Sequence, residues 1–220
     1  MKFDLHTHTK YSFDATTKPE TLLKIARKKK IGIAITDHNS TRAWPHLKKL
    51  NRKYKVPLVY GEEVTALDGN GSAVGHILAL FTHEKIKKHN YLDVLDEINS
   101  HGAVSSIAHP YDGFRVPCKV LPEIKKKVDL AEVFNSRSVF GSFNRKALRF
   151  ALKNHLGFSA GSDGHTPEEI GCAWVEIKSD STEDLHKALL KGKVKFGGRL
   201  SGLMPHLKTQ LRSMRVIGEE

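Results

Sequence analysis

Residues 31–39 read Ile31-Gly32-Ile33-Ala34-Ile35-Thr36-Asp37-His38-Asn39, an apolar run that stops on a carboxylate and an imidazole. An apolar run of this length, rich in isoleucine, marks a strand buried on both faces. Just before it, Thr21–Lys30 carries Leu22, Leu23, Ile25 and Ala26 at helical spacing, behind Pro19, a residue that helix starts tolerate. Before the helix, Phe3–Leu5 is a brief strand, so the first forty residues read strand, helix, strand. The same alternation continues outward. Strands are predicted over Val56–Tyr60, Ala73–Phe81, Gly102–Ala108, Asp129–Phe134, Gly157–Ala160 and Cys172–Ile177. Helices are predicted over Ala43–Tyr54, Tyr91–Ser100, Glu123–Lys127, Phe143–His155 and Thr182–Lys191. Alternating β and α segments predict an α/β fold with a parallel sheet, and with this many short strands closure into a barrel is the better reading.

The chain has 220 residues, enough for one domain with a sizeable core. Hydrophobic residues make up 39% and charged residues 27%, the balance of a globular protein. No apolar run approaches the roughly 20 residues that a membrane-spanning helix needs. The N-terminus shows no apolar signal-peptide core, so a cytoplasmic location without membrane partners is expected. Cys118 and Cys172 lack the spacing of a metal or redox motif and read as ordinary thiols. The formal charge of +12 raises the local concentration of anions, which suits phosphorylated substrates or nucleic acid, or equally a lysine-rich solvated surface. Composition shifts only at the end. Residues 1–197 read as one domain, and 198–220 as a basic C-terminal tail with Lys and Arg concentrated up to Arg215.

Thirteen histidines are more than surface chemistry requires, and their placement is regular. His6 and His8 follow the first predicted strand, Asp37 and His38 the second, Glu62 and Glu63 the third. His76 lies in the fourth, His109 follows the fifth, Glu132 lies in the sixth, and Asp163 and His165 follow the seventh. In a β/α barrel the C-terminal strand ends converge on one face, which carries the site. Two side chains separated by one residue point the same way from an extended segment. His6-x-His8 and Asp163-x-His165 can therefore each present a pair of ligands to one ion. Imidazole with carboxylate suits Zn, Mn or Fe. A structural reading has to explain each residue separately, whereas a metal site explains them together.

The ordered motifs His6-Thr7-His8-Thr9, Tyr11-Ser12-x-Asp14, Thr36-Asp37-His38-Asn39 and Gly61-Glu62-Glu63-Val64-Thr65 resemble the PHP (polymerase and histidinol phosphatase) superfamily. Ala108-His109-Pro110, Glu132-Val133-Phe134-Asn135 and Gly161-Ser162-Asp163-Gly164-His165 extend the resemblance over roughly residues 1 to 195. It implies a distorted (β/α)7 barrel holding up to three divalent metal ions. By that resemblance His6, His8, Glu63 and Asp163 would hold one metal. Glu63 would bridge to a second, completed by His76 and His109, and Asp14, His38 and His165 would hold a third. Glu63 rather than Glu62 matches the ligand position. Asp37 is read as orienting a ligand histidine, with capping of the following turn as the alternative. His76 sits in an apolar run, where a lone histidine is often a hydrogen-bonded core residue. His46, His83, His89, His101, His155, His186 and His206 match no ligand position.

The implied activity is metal-dependent hydrolysis of a phosphate ester, with hydroxide shared by two bridged metals attacking phosphorus, and a small phosphomonoester or nucleotide as substrate. Arg115 and Arg137 follow the fifth and sixth predicted strands and are candidates to clamp phosphate, or are surface charges. The leaving-group acid is open, with His165 or a metal-held water as candidates. Three rivals stand beside this reading. A nuclease of the same family would use the basic charge, although only 8% of residues are aromatic. An amidohydrolase-type barrel also opens with His-x-His but lacks the later motifs. A non-catalytic, metal-stabilised binding module would be expected to have lost ligands.

Overall fold

The computed structural model describes residues 1–202, 204–206 and 208–209. The chain begins with β1 (Lys2–Thr7), α1 (Pro19–Lys29), β2 (Gly32–Ile35), α2 (Trp44–Tyr54) and β3 (Leu58–Leu67). The middle comprises β4 (Ala73–Leu80), α3 (Tyr91–Ser100), β5 (Val104–Ile107), α4 (Leu121–Ile124), β6 (Leu130–Asn135) and α5 (Gly141–Lys153). β7 (Gly157–Gly161), β8 (Ala173–Glu176), α6 (Thr182–Leu190) and β9 (Lys195–Gly198) complete the described elements. The strands pair in the order β7-β6-β5-β4-β3-β2-β1-β8-β9.

The ends of the seven-strand run meet. Asp163 N donates to the His6 carbonyl at 2.7 Å, and His8 N donates to the Gly164 carbonyl at 3.0 Å, so the end of β7 closes against the end of β1. Closure brings these two strands so near that a Cβ at Gly161 would collide with the backbone and Cβ of His6. A glycine is required there because the backbones approach too closely for any side chain. The result is a mixed α/β fold with a nearly closed, barrel-shaped sheet.

Two features depart from the expected parallel sheet. β1, β2 and β3 are parallel, as are β5, β6 and β7, but β4 runs antiparallel to both of its neighbours. The short turn between Leu67 and Ala73 is the reason, because a parallel return needs a crossover of a dozen or so residues. β9 is the other departure. Lys195–Gly198 lacks an apolar run and pairs antiparallel with β8, itself antiparallel to β1, outside the closed barrel.

Apolar side chains fill the barrel from below. Phe3, Leu5, Leu78, Leu80, Val104 and Leu130 pack with Leu185 and Leu189 of α6, which stops the N-terminal end. Full burial of each such side chain contributes about 1.5–3 kcal/mol. With that end sealed, the cavity carrying polar groups lies at the opposite mouth. Among the described residues no helix is long and apolar enough to cross a membrane.

Candidate metal centre

Each strand end delivers its group to the same small volume. His6 is the fifth residue of β1 and His8 lies just past its end. Glu63 in β3 faces inward, and strand alternation turns Glu62 to the other side, where its carboxylate accepts from Ile86 N at 3.0 Å. His76 reaches the mouth from the first half of β4, because that strand runs in the reverse direction, and it sits beside Thr65 in the pairing with β3. His109, Asp163 and Asn39 adopt left-handed backbone, with φ of 28°, 53° and 48°. Such values are uncommon outside glycine and cluster where function dictates geometry. Here they turn the chain sharply at the strand ends so that neighbouring side chains face the mouth.

Glu63 lies at the centre. Its Oε2 is 3.1 Å from His6 Nε2, 3.2 Å from His8 Nε2 and 3.1 Å from His38 Nδ1. Its Oε1 is 3.2 Å from both His76 Nδ1 and His109 Nε2. Asp163 Oδ1 stands 3.5 Å from His6 Nε2 and 3.2 Å from His8 Nε2. A third set adjoins these, with His165 Nε2 3.1 Å from Asp14 Oδ2 and His38 Nε2 3.8 Å from Asp14 Oδ1. The candidate ligands form three overlapping groups: His6, His8, Glu63 and Asp163; Glu63, His76 and His109; and His8, His38 and His165. Asp14 borders the third.

These groups fit divalent ions. Ligand atoms at about 2.1 Å from one ion lie roughly 3.0–3.4 Å apart at right or tetrahedral angles, and the spacings above fall in or close to that range. Although close, the buried atoms His6 Nε2, His8 Nε2, Glu63 Oε2 and Asp14 Oδ1 lack an aligned hydrogen-bond partner. An unpartnered buried polar atom costs about 1–3 kcal/mol. Several of them aimed at one point are the donor set that a cation satisfies.

Electrostatics agree. Burial opposes ionisation of Glu63 and Asp163, yet the surrounding histidines, joined at Asp163 by Arg115, hold both carboxyls well below the usual range. Burial also opposes charge on His8, but Asp163 and Glu63 raise its pKa to about 9. At His38 burial dominates and lowers it to about 3. Ligation requires neutral imidazoles, so loading a cation expels protons from this cluster.

A second layer holds the rings. Glu132, fully buried in β6, accepts from His6 Nδ1 at 2.9 Å through Oε1, and from His109 N and Asn135 Nδ2 at 2.8 Å each through Oε2. Its position was legible, but its task was not. The signal was a lone carboxylate in an apolar strand, which has to find donors. Asp37 accepts from Thr9 N, Thr9 Oγ1 and Ser12 Oγ, and Ser12 Oγ meets His8 Nδ1 at 3.0 Å. It therefore braces the loop after β1 and reaches His8 only through Ser12, between the two roles expected for it. His165 Nδ1 donates to the Asp163 carbonyl at 2.7 Å, which leaves the Nε2 lone pair facing Asp14.

A cleft of about 770 Å³ opens over the cluster. Arg115 and Arg137 both line it. Arg115 bonds Asp163, and its Nη2 meets Asp112 Oδ2 at 2.7 Å. Arg137 is buried, with Nη1 3.4 Å from Glu169 Oε2 and Nη2 2.9 Å from Thr209 Oγ1. After β9 the chain returns to this rim. Ser201 N bonds the Ser136 carbonyl, and His206 and Thr209 join the cleft wall. Sequence spacing gave no sign of His206 here, since it precedes no strand and shares no motif. The remainder of the basic tail, residues 210–220, lies outside the described residues.

A family model for the PHP domain matches residues 4–166, and a PHP-associated model matches residues 141–194. The chain belongs to the PHP domain family. It is 35% identical over 167 residues to the uncharacterized protein MJ1587 of Methanocaldococcus jannaschii, covering 70% of this chain and 92% of that one. To the uncharacterized protein MJ0417 of the same organism it is 33% identical over 195 residues, covering 84% and 75%. Among solved structures, a two-domain protein from Bacteroides vulgatus "containing predicted PHP-like metal-dependent phosphoesterase" superposes with a TM-score of 0.73 at 19% identity. That match covers 90% of this chain and 65% of the two-domain chain, a likeness of fold.

Proposed function

We infer that the protein is a metal-dependent phosphoesterase that hydrolyses phosphate esters, with the domain formed by residues 1–197 and the tail 198–220 appended to it. The carrying observation is Glu63, whose two oxygens face two separate ligand groups beneath an arginine-lined cleft. The reading assigns His6, His8, Glu63 and Asp163 to one ion, Glu63, His76 and His109 to a second, and Asp14, His38 and His165 to a third, with Mn, Zn or Fe as suitable metals. Such ions supply Lewis acidity and lower the pKa of water toward about 7.

The chain's own residues do the rest. Glu132 fixes the His6 tautomer by taking its Nδ1 proton in a hydrogen bond, which points the Nε2 lone pair at the cluster. The Asp163 carbonyl does the same for His165. That tautomer suits His165 as a ligand better than as a proton donor to the leaving group. Arg115 and Arg137, which both line the cleft, orient the phosphoryl oxygens. Walls of Phe13 and Phe114 restrict water around the ester.

Thorough chelation should abolish hydrolysis of an aryl phosphate, and Mn or Zn should restore it. Activity that survives chelation rules the scheme out. His109→Ala should cut turnover far more than it lowers thermal stability, and full activity in that variant would remove His109 from the site.

A further inference from the structure

We propose that a groove lined by α4 and α5, apart from the metal cluster, binds a nucleoside triphosphate as its metal-free anion. The groove holds about 560 Å³, within the roughly 300–1,000 Å³ of small-molecule sites. It shares no lining residue with the cleft over the cluster. Two stretches of chain line it with cations: Lys119 and Lys125, which flank α4, and Lys146, Arg149 and Lys153 on α5. Among the described residues no acid lines the groove, and none of these five cations has an ion-pair partner.

A solvated lysine face does not account for this arrangement. α5 carries no acid along its length, and it sets Arg145 and Arg149, then Arg149 and Lys153, one turn apart. Such like-charge pairs destabilise a helix by about 0.2–0.5 kcal/mol each. On α6, by contrast, Glu183 answers Lys187 one turn later. A bound polyanion removes the repulsion along α5.

The remaining lining selects the kind of anion. Tyr111 and Phe150 stand edge to face at 6.1 Å, and both pack against the core, which holds their rings in place. A planar base gains from stacking on such rings. Asn154 Nδ2 donates to the Phe150 carbonyl at 2.8 Å, which fixes the amide and leaves Oδ1 to accept from an exocyclic amine such as that of adenine. From Lys146 to Lys153 the helix rises about 10 Å. An extended peptide fits only about three residues in that length, and alternation turns at most two of their carboxylates to one side. A triphosphate concentrates about 3.5–4 negative charges in the same space, closer to what five cations require. Magnesium in nucleotide sites is held by carboxylates together with phosphates. This groove offers cations in their place, so the free anion is the favoured form.

None of the candidate metal ligands lines the groove, so the nucleotide is held there and not hydrolysed. Its walls nonetheless adjoin two of those ligands. Cys118 N donates to the Pro110 carbonyl at 3.1 Å, next to His109, and Lys119 N to the Val74 carbonyl at 2.7 Å, two residues before His76. Occupancy therefore clamps residues 111–125 against α5.

The test is calorimetric titration of the protein in chelator with ATP, ADP, AMP, adenosine and tripolyphosphate. One site is expected, with affinity falling from ATP to ADP to AMP. Adenosine and tripolyphosphate should each bind about 10-fold more weakly or worse, because each keeps only the stacking or only the charge contacts. Lys146→Glu with Lys153→Glu should cost about 10-fold or more per lost contact without lowering the melting temperature. Arg115→Ala, in the cleft, should leave ATP binding unchanged. Magnesium in excess of the chelator should weaken it, and ATP should slow amide hydrogen exchange over residues 111–125. Absence of binding, binding that requires magnesium, or tripolyphosphate equal to ATP would each overturn the proposal. So would loss in Arg115→Ala but not in the double reversal, or displacement of ATP by a lower concentration of an acidic peptide or an oligonucleotide. With the metals removed, the titration is independent of the phosphoesterase reading, which hydrolysis of an aryl phosphate by the metal-loaded protein tests by itself.

Discussion

Glu132→Gln isolates one link between fold and site. The wild-type carboxylate accepts three hydrogen bonds: His6 Nδ1 on Oε1, and His109 N with Asn135 Nδ2 on Oε2. Glutamine keeps the volume but has one acceptor and one donor end. Its oxygen belongs where two donors converge, which turns the amide NH2 toward His6. To accept from it, His6 Nδ1 must give up its proton, and the ring carries that proton on Nε2 instead. Nε2 is the atom 3.1 Å from Glu63 and 3.5 Å from Asp163, so the lone pair meant for a cation is blocked. Loss of such an orienting partner costs 10–100-fold in metal affinity, or about 1.4–2.8 kcal/mol. The assay is aryl phosphate hydrolysis against free Mn concentration. Half-saturation should move up 10–100-fold, with turnover largely recovered at saturating Mn. The metal-free variant should melt about 2–12 °C lower, since a misoriented buried group costs about 1–3 kcal/mol and a chain of this size loses about 2–4 °C per kcal/mol. An unchanged half-saturation point would refute the tautomer argument, because nothing else about the first group of ligands is altered.

Further expectations concern metal, thiols and pH. Metal at 100 times its dissociation constant should stabilise the fold by about 2.7 kcal/mol per site, read as a melting shift of about 5–11 °C that chelation reverses; no shift would mean the buried atoms do not bind cations. Burial pushes the Cys118 thiol up to about 11, so at pH 8 it holds on the order of 200-fold less thiolate than a free cysteine. Iodoacetamide should modify it slowly in the native protein and readily after denaturation, and fast native labelling would contradict its burial. Burial and the neighbouring Arg137 lower His206 to about 4. Its folded value lies below the ordinary one, so the unfolded chain binds the extra proton between about pH 4 and 6.5. The contribution of His206 to stability is therefore complete above about 6.5 and is lost as pH falls toward 4. Proteolysis of the C-terminal segment, followed by mass spectrometry, should accelerate over that window in the wild type and much less in His206→Gln.

The parts of the fold that one segment specifies were legible. Ile31–Thr36 and the helix before it carry their own periodicity, and His6-x-His8 carries its own geometry. What pairing decides was not legible. β4 is apolar whichever way it runs, so its reversal follows from the short turn after Leu67, and that reversal lifts His76 from the middle of a strand to the mouth of the barrel. Asp37 illustrates the same limit. From sequence it reads as orienting a ligand histidine, whereas the parallel pairing of β1 with β2 carries Thr9 and Ser12 to it, and it reaches His8 only through Ser12.

Composition leaves out where residues of one kind gather. Phe13, Phe114, Phe140 and Phe143 come from separate loops and the start of α5, and the fold sets Phe13 and Phe114 on the cleft, with Phe140 and Phe143 packed beside Phe114. The same holds for charge. The +12 excess is uninformative as a sum, because Lys127, Lys187 and Lys208 end in ion pairs. It becomes informative along α5, where the cations have no acids to answer them. Burying unpartnered ligands, and leaving aromatics and unpaired cations exposed, both lower the stability of the isolated chain. A fold that accepts such costs at two openings is shaped there by what it binds.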